Sequence, residues 1–126
     1  MGLLIGAVAL ALGASTPQAS PQPVCEPAGL MRITGYARSD YGPHARTYDG
    51  TSVFSGEKLV AASWNIPLDT MLRVAGLDHL YRVADRGMLG NEGWIDVLVE
   101  DRATAYKLED WVGGKYANVC VERWGR

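Results

Sequence analysis

Tyr81-Arg-Val-Ala-Asp-Arg-Gly87, followed by Trp94-Ile-Asp-Val97, is the stretch on which the reading of this 126-residue chain turns. Apolar and polar residues alternate in the first segment, which reads as a short strand delivering Asp85 into a glycine turn. The second reads as a strand carrying Asp96 between large apolar neighbours. A fold that brings the two strands together at one end places two carboxylates in one site, which is what glycosidic-bond chemistry uses. The same acids also occur at strand ends for structural reasons, capping turns or pairing with Arg82 and Arg86.

Period-2 patterns extend outward from this pair. Met31-Arg-Ile-Thr-Gly-Tyr-Ala37 alternates and predicts the first strand. Residues 59–62 form a short apolar strand that ends before Ile66-Pro67, because proline has no N–H for a ladder. Residues 70–74 and 80–84 predict two strands around the Gly76-Leu-Asp78 turn, 94–99 a central strand and 116–121 the closing one. Asp101 opens the one good helix, with Ala103, Tyr106 and Leu108 along one side and Gly113-Gly114 as its stop. Residues 39–50 form a polar loop holding Tyr41, His44 and Asp49. Six or seven short strands with one short helix predict a mainly β fold closed into a small barrel, which leaves no exposed edge.

Composition agrees. A hydrophobic content of 48% with 15 glycines fits one domain with a small core. The net charge of −2 and pI of about 5.6 provide no basic field for nucleic acid and suit a neutral or polymeric carbohydrate partner better. Residues 3–12 are almost wholly apolar and Gly13-Ala14-Ser15 supplies small residues, so 1–15 reads as a signal peptide or N-terminal hydrophobic segment, although no Lys or Arg precedes it. The apolar run is too short for a stable membrane span, which needs about 20 residues. Residues 16–28, rich in Ser, Pro, Gln and Ala, read as a linker, and 29–126 as the folded domain.

Cys25 and Cys120 are the only cysteines. In an exported domain they are expected to form a disulfide, closing a loop worth about 4–5 kcal/mol in the chain-entropy model. Two buried free thiols are the alternative. No CxxC or clustered His accompanies them, so neither a metal nor a cofactor is expected.

Four blocks carry a family resemblance: Thr47-Tyr-Asp-Gly-Thr51, Val60-Ala-Ala-Ser-Trp-Asn-Ile-Pro-Leu-Asp-Thr70, Val83-Ala-Asp-Arg-Gly87 and Trp94-Ile-Asp-Val97. In order and spacing they resemble the double-psi β-barrel superfamily, in particular the "3D" (three-aspartate) and rare-lipoprotein-A-like domains, over residues 33–121. The resemblance implies a six-stranded double-psi barrel acting on peptidoglycan glycan strands in the periplasm or cell envelope of an exported, possibly phage-encoded, protein. It also implies one of two functions. The first is a lytic transglycosylase cleaving the bond between N-acetylmuramic acid and N-acetylglucosamine. The second is a non-catalytic glycan-binding or wall-assembly module of expansin-like kind. A monomer is expected.

Carried over residue by residue, Asp85 matches the family's general acid and Asp96 the aspartate of the Ile-Asp block. The first of the three aspartates would fall near Ala62 or Ser63, and neither is acidic. Ser63 stands where the rare-lipoprotein-A-like pattern has histidine and Thr51 where it has glutamate, while Thr51 agrees with the Gly-Thr of the 3D pattern. Asp85 and Asp96 are therefore the catalytic candidates, with Asp96 raising the pair's first dissociation by like-charge repulsion. Thr51, Ser63, Tyr41, Trp64 and Arg86 are the substrate-binding candidates, Arg86 being expected to point outward. Tyr36 is a further candidate for stacking on a sugar ring, as are Tyr41 and Trp64. His44, Asp49 and Glu92 are loop groups near the expected groove. Trp94 and Trp111 are assigned to the core.

Overall fold

A computed structural model describes residues 25–87 and 92–126 of the chain. The expected signal or hydrophobic segment, 1–15, and most of the expected linker lie outside the described residues. The alternation read over residues 31–37 begins earlier than its pattern suggests: strand β1 spans Glu26–Ala37. The folded unit therefore takes in residues assigned to the linker. The reason is pairing beyond the reach of local pattern. Glu26 faces Val121 and Pro27 faces Cys120, with an irregularity at Pro27/Gly29 that absorbs the missing proline N–H.

The other elements follow as β2 (Leu59–Ala62), β3 (Met71–Val74), β4 (Leu80–Arg86), β5 (Trp94–Val99), α1 (Arg102–Val112) and β6 (Tyr116–Arg123). The strands close into a barrel in the order β1-β5-β2-β4-β3-β6 and back to β1. Two pairs, β1/β5 and β2/β4, run parallel, and the remaining four are antiparallel. A closed six-stranded barrel with one short α-helix is the architecture the sequence predicts.

Inward-facing residues of every strand fill the barrel, among them Ile33, Val60, Leu72, Val83, Ile95, Val97 and Val119. Each such burial is worth about 1.5–3 kcal/mol. Helix α1 covers part of this core with Ala105, Leu108 and Val112, spaced at helical period. Tyr106 and Ala103 face solvent, so the apolar face is turned from the one predicted. The Asp101 side chain accepts from the Thr104 N–H at 2.8 Å to start the helix, and Gly113, at φ 82°, ends it. The helix sits so close to β1 that a Cβ on Gly35 would lie 2.7 Å from Leu108 Cδ1, and only glycine fits there.

A second, smaller core lies on the outside of the wall. Val53, Leu59, Ala84 and Leu98 are buried there, with Tyr36 and Ala45 against them. Residues 41–58, which include most of the polar loop predicted over 39–50, thus have apolar anchors of their own. They lie across the outer face of β2, β4 and β5, which is why all four residues of β2 are buried.

Candidate functional site

The outer wall beside this second core holds both aspartates. Ala61 of β2 pairs with Asp96 on one side and with Asp85 on the other, and Asp96 pairs with Thr34 of β1. Asp85 and Asp96 therefore share one rung of the barrel, two strand spacings or about 10 Å apart at the Cα atoms. Ala61 is the residue between them on the rung, and it is buried.

Simple alternation would have sent Asp85 inward with Tyr81 and Val83. The register shifts by one residue between Val60/Ala61 of β2 and Val83/Asp85 of β4, leaving Ala84 as the extra residue. This β-bulge re-aims Asp85 to the outer face, a recognised use of bulges beside functional sites.

Three donors converge on Asp85. The Tyr36 hydroxyl donates to Oδ2 at 3.1 Å, and the backbone N–H groups of Tyr48 and Arg86 donate to Oδ1 at 2.8 and 2.9 Å. Burial, and then the charge of Asp85, hold the Tyr36 hydroxyl pKa well above the usual tyrosine value, so Tyr36 is a permanent donor. Asp96 has a drier setting. Its Oδ1 accepts from the Thr34 hydroxyl at 2.9 Å, and that hydroxyl accepts from Trp94 Nε1 at 2.8 Å. Burial raises the Asp96 pKa, the Thr34 hydrogen bond works against it, and the negative charge of Asp85 adds to the rise. Asp96 thus keeps its proton to higher pH than an ordinary aspartate. Neither carboxylate has an ion-pair partner among the described residues.

Aromatic groups rim the carboxylates. Trp64, 56% exposed, and Tyr48, 60% exposed, meet edge to face at 5.4 Å between ring centroids. Tyr41 meets Tyr36 in the same manner at 6.4 Å. Trp94, expected in the core, is half-buried on the outer face, with the Arg32 guanidinium 5.2 Å from its ring centroid. Trp111 is likewise exposed.

Arg86, expected to point outward, instead folds back on the loop between β2 and β3. Its Nη1 donates to the carbonyls of Ser63 and Ile66 at 3.0 and 2.6 Å and, more weakly, to Ala62 at 3.4 Å. Its guanidinium lies 4.8 Å from the Trp64 ring centroid, a cation–π contact that braces the tryptophan from behind. Ser63 is buried and donates to Asn65 Oδ1 at 2.6 Å, within its own turn.

Thr51 belongs to a separate cluster around Arg82. The Arg82 guanidinium pairs with Asp49 at 2.6 Å, Glu57 at 2.9 Å and Asp69 at 3.0 Å, and donates to Thr51 Oγ1 at 3.0 Å. The Thr51 hydroxyl donates to Asp49 at 2.7 Å. Burial favours the protonated form of Asp49, but hydrogen bonds from Thr47, Arg82 and Thr51 outweigh it and lower the pKa to about 2. His44 and Glu92 are exposed.

The structure thus brings Asp85, Asp96, Tyr36, Tyr41, Trp64 and Arg86 to one face, while the hydroxyls of Thr51 and Ser63 are engaged elsewhere. Thr34, Tyr48 and Trp94 join the site without having been singled out for it. The alternation of Thr34 with Tyr36 carried a signal, since both must leave β1 on the same face. Among the described residues no group of three or more His, Cys, Asp or Glu is arranged to hold a metal ion. Cys25 and Cys120 form a disulfide, with Cα atoms 5.4 Å apart, which joins the start of β1 to β6.

No family model matches the chain, and no curated protein does. Among solved structures, the crystal structure of apo expansin from Clavibacter michiganensis is similar, with a TM-score of 0.48 and 20% sequence identity. The match covers 78% of this chain and 50% of that one, so the chain spans half the length of that structure.

Proposed function

We propose that this barrel is a polysaccharide-binding module of the cell wall, with peptidoglycan glycan strands as its ligand. The observation that carries this reading is the exposed Tyr48–Trp64 pair, braced by Arg86 and set beside two carboxylates that have no ion pair among the described residues. Aromatic faces stack on the apolar faces of sugar rings, and free carboxylate oxygens accept sugar hydroxyls. The choice of peptidoglycan rests on the four sequence blocks. An exported location is supported by the disulfide, which belongs to oxidising compartments. No helix among the described residues is long and apolar enough to cross a membrane. The module is taken to work as a monomer without a cofactor.

Co-sedimentation with purified sacculi tests the proposal. The intact protein should pellet with them, and Trp64→Ala should weaken binding roughly three- to tenfold, the worth of one good aromatic contact. Equal pelleting of both proteins would remove this face from the explanation.

A second reading, lytic transglycosylase, is favoured by one observation: Asp96, a carboxyl whose pKa burial raises, stands on the same rung as Asp85. One carboxylic acid would protonate the glycosidic oxygen as the bond to the muramyl C1 breaks. The resulting carboxylate would take the proton from the 6-hydroxyl, whose oxygen closes on C1 to give the 1,6-anhydro ring. Asp85 is the acid by sequence match, and Asp96 is the acid by proton affinity. Mass spectrometry of digested sacculi should then detect 1,6-anhydro muropeptides, and Asp→Asn at the acid should cut their release by about 10²–10⁴. Sacculi that bind the protein and release nothing leave the binding module alone.

A further inference from the structure

We infer that the opposite end of the barrel carries a second site, for a sugar acid: a single pyranose ring bearing a carboxylate. This is the end where β2 and β4 begin and β1 and β5 finish, so Lys58, His79, Arg38 and Glu100 are gathered there by the topology. With Tyr81 and Trp111 they line a hollow of about 220 Å³. Drug-sized ligands occupy cavities of about 300–1,000 Å³, so this one suits one ring.

The charges are unusual for having no protein partners. Arg38, Lys58 and His79 take part in no salt bridge among the described residues, whereas Arg73 and Arg102 each have one and Arg82 has three. Three arginines have a buried Nε without a hydrogen-bond partner: Arg32, Arg38 and Arg86. Arg32 and Arg86 lie over tryptophan rings, which accounts for their guanidinium groups. Among the described residues Arg38 has neither a ring nor an ion-paired anion. Its guanidinium lines the hollow without an ion pair, and a carboxylate is the partner a guanidinium takes best.

The remaining lining selects the body of the ligand. Trp111, half-exposed, offers a wall for a sugar ring. It also lines the adjoining hollow of about 270 Å³ with His79 and Tyr81, so the ring has room to belong to a longer chain. Glu100 accepts hydroxyls, and its charge leaves two permanent cations facing one carboxylate. That balance fits a monoanion bearing hydroxyl groups better than a phosphate dianion.

Amide and indole NMR titration of the full chain tests the site, with glucuronate and N-acetylmuramate as the two acids and glucose and N-acetylglucosamine as their neutral counterparts. At least one acid should produce saturable shifts centred on Arg38, Lys58, His79 and the Trp111 indole. Whichever acid binds more tightly names the source, uronic or muramic. The matching neutral sugar should bind about tenfold more weakly or worse, since a hydrogen bond to a charged group is worth that much. Raising the salt should weaken the acid alone. Lys58→Gln, an exposed change that leaves the core intact, should lower acid affinity several-fold. Trp64→Ala should not alter it, so loss of sacculus binding and loss of this site are separate results. Equal response to acid and neutral sugar, shifts centred on Tyr48 and Trp64, or full affinity in Lys58→Gln would each overturn the inference.

Discussion

The outer wall of the barrel presents carboxylates in two settings a few residues apart. Around Arg82, three acids converge on one guanidinium and each other's donors. On the Ala61 rung, Asp85 and Asp96 receive only hydroxyl and amide donors and have no ion pair among the described residues. The first arrangement gives each acid the same cationic partner and serves to hold residues 47–57 on the wall. The second leaves acceptor capacity free at the surface, beside exposed aromatic rings. The two clusters are connected: the segment held by Arg82 is the one that delivers the Tyr48 N–H to Asp85. What separates a structural acid from a functional one here is the partner rather than the residue type.

The contrast breaks first at Arg82. Arg82→Ala leaves three carboxylates facing one another and should cost about 3 kcal/mol in urea unfolding, the lower end for a broken buried network. The partial exposure of Glu57 and Asp69, 50% and 43%, keeps it there. A loss below about 1 kcal/mol would show that the cluster is merely solvated. Arg86→Gln comes next, at about 2 kcal/mol, since it gives up charge-assisted bonds to the β2–β3 loop. It should also release Trp64, seen as a shift in tryptophan emission and a several-fold drop in sacculus binding.

Titration sharpens the comparison, because the two clusters respond with opposite sign. Asp49 has its pKa lowered to about 2, so its contribution is present above the unfolded value of about 3.9 and is lost as pH falls through about 2. Asp96 has a raised pKa, so folding loses stability as pH rises from the unfolded value through the folded one. Asp49→Asn should flatten the acid limb of the stability profile, while Asp96→Asn should make the protein more stable at neutral pH. The same slope change in both variants would show that the clusters are not distinct. The smallest expected effect is that of Trp94→Phe, which removes the Nε1 bond to Thr34 and costs about 1 kcal/mol in the same unfolding assay.

The sequence was informative about the elements and less so about their faces. β2 and β5 fall on the residues their patterns predict, because apolar runs bounded by Pro and Gly are local signals. Asp101 and Gly113 mark the helix for the same reason. The start of β1 escaped because Glu26, Pro27 and Ala28 have no alternation of their own and are held by β6, 95 residues away at the disulfide. Arg86 and Arg82 escaped because a guanidinium's direction depends on carbonyls and acids brought near by the fold. Trp94 looked like core on hydrophobicity alone, yet its ring lies on the outer face and its N–H finds Thr34 across the parallel β1/β5 pair.

The bulge at Ala84 has a consequence for how this wall can change over generations. A side chain on the rung can be exchanged while the rung itself stays in place. Ironing out the bulge at constant length would instead turn the carboxylate toward the hydrocarbon interior, whereas deleting Ala84 would keep the carboxylate opposite Ala61 and take a buried side chain from the second core. The outer face is therefore open to substitution on the rung but depends on the irregularity beside it, and the bulge, as much as the carboxylate, is what a lineage keeping this site has to preserve.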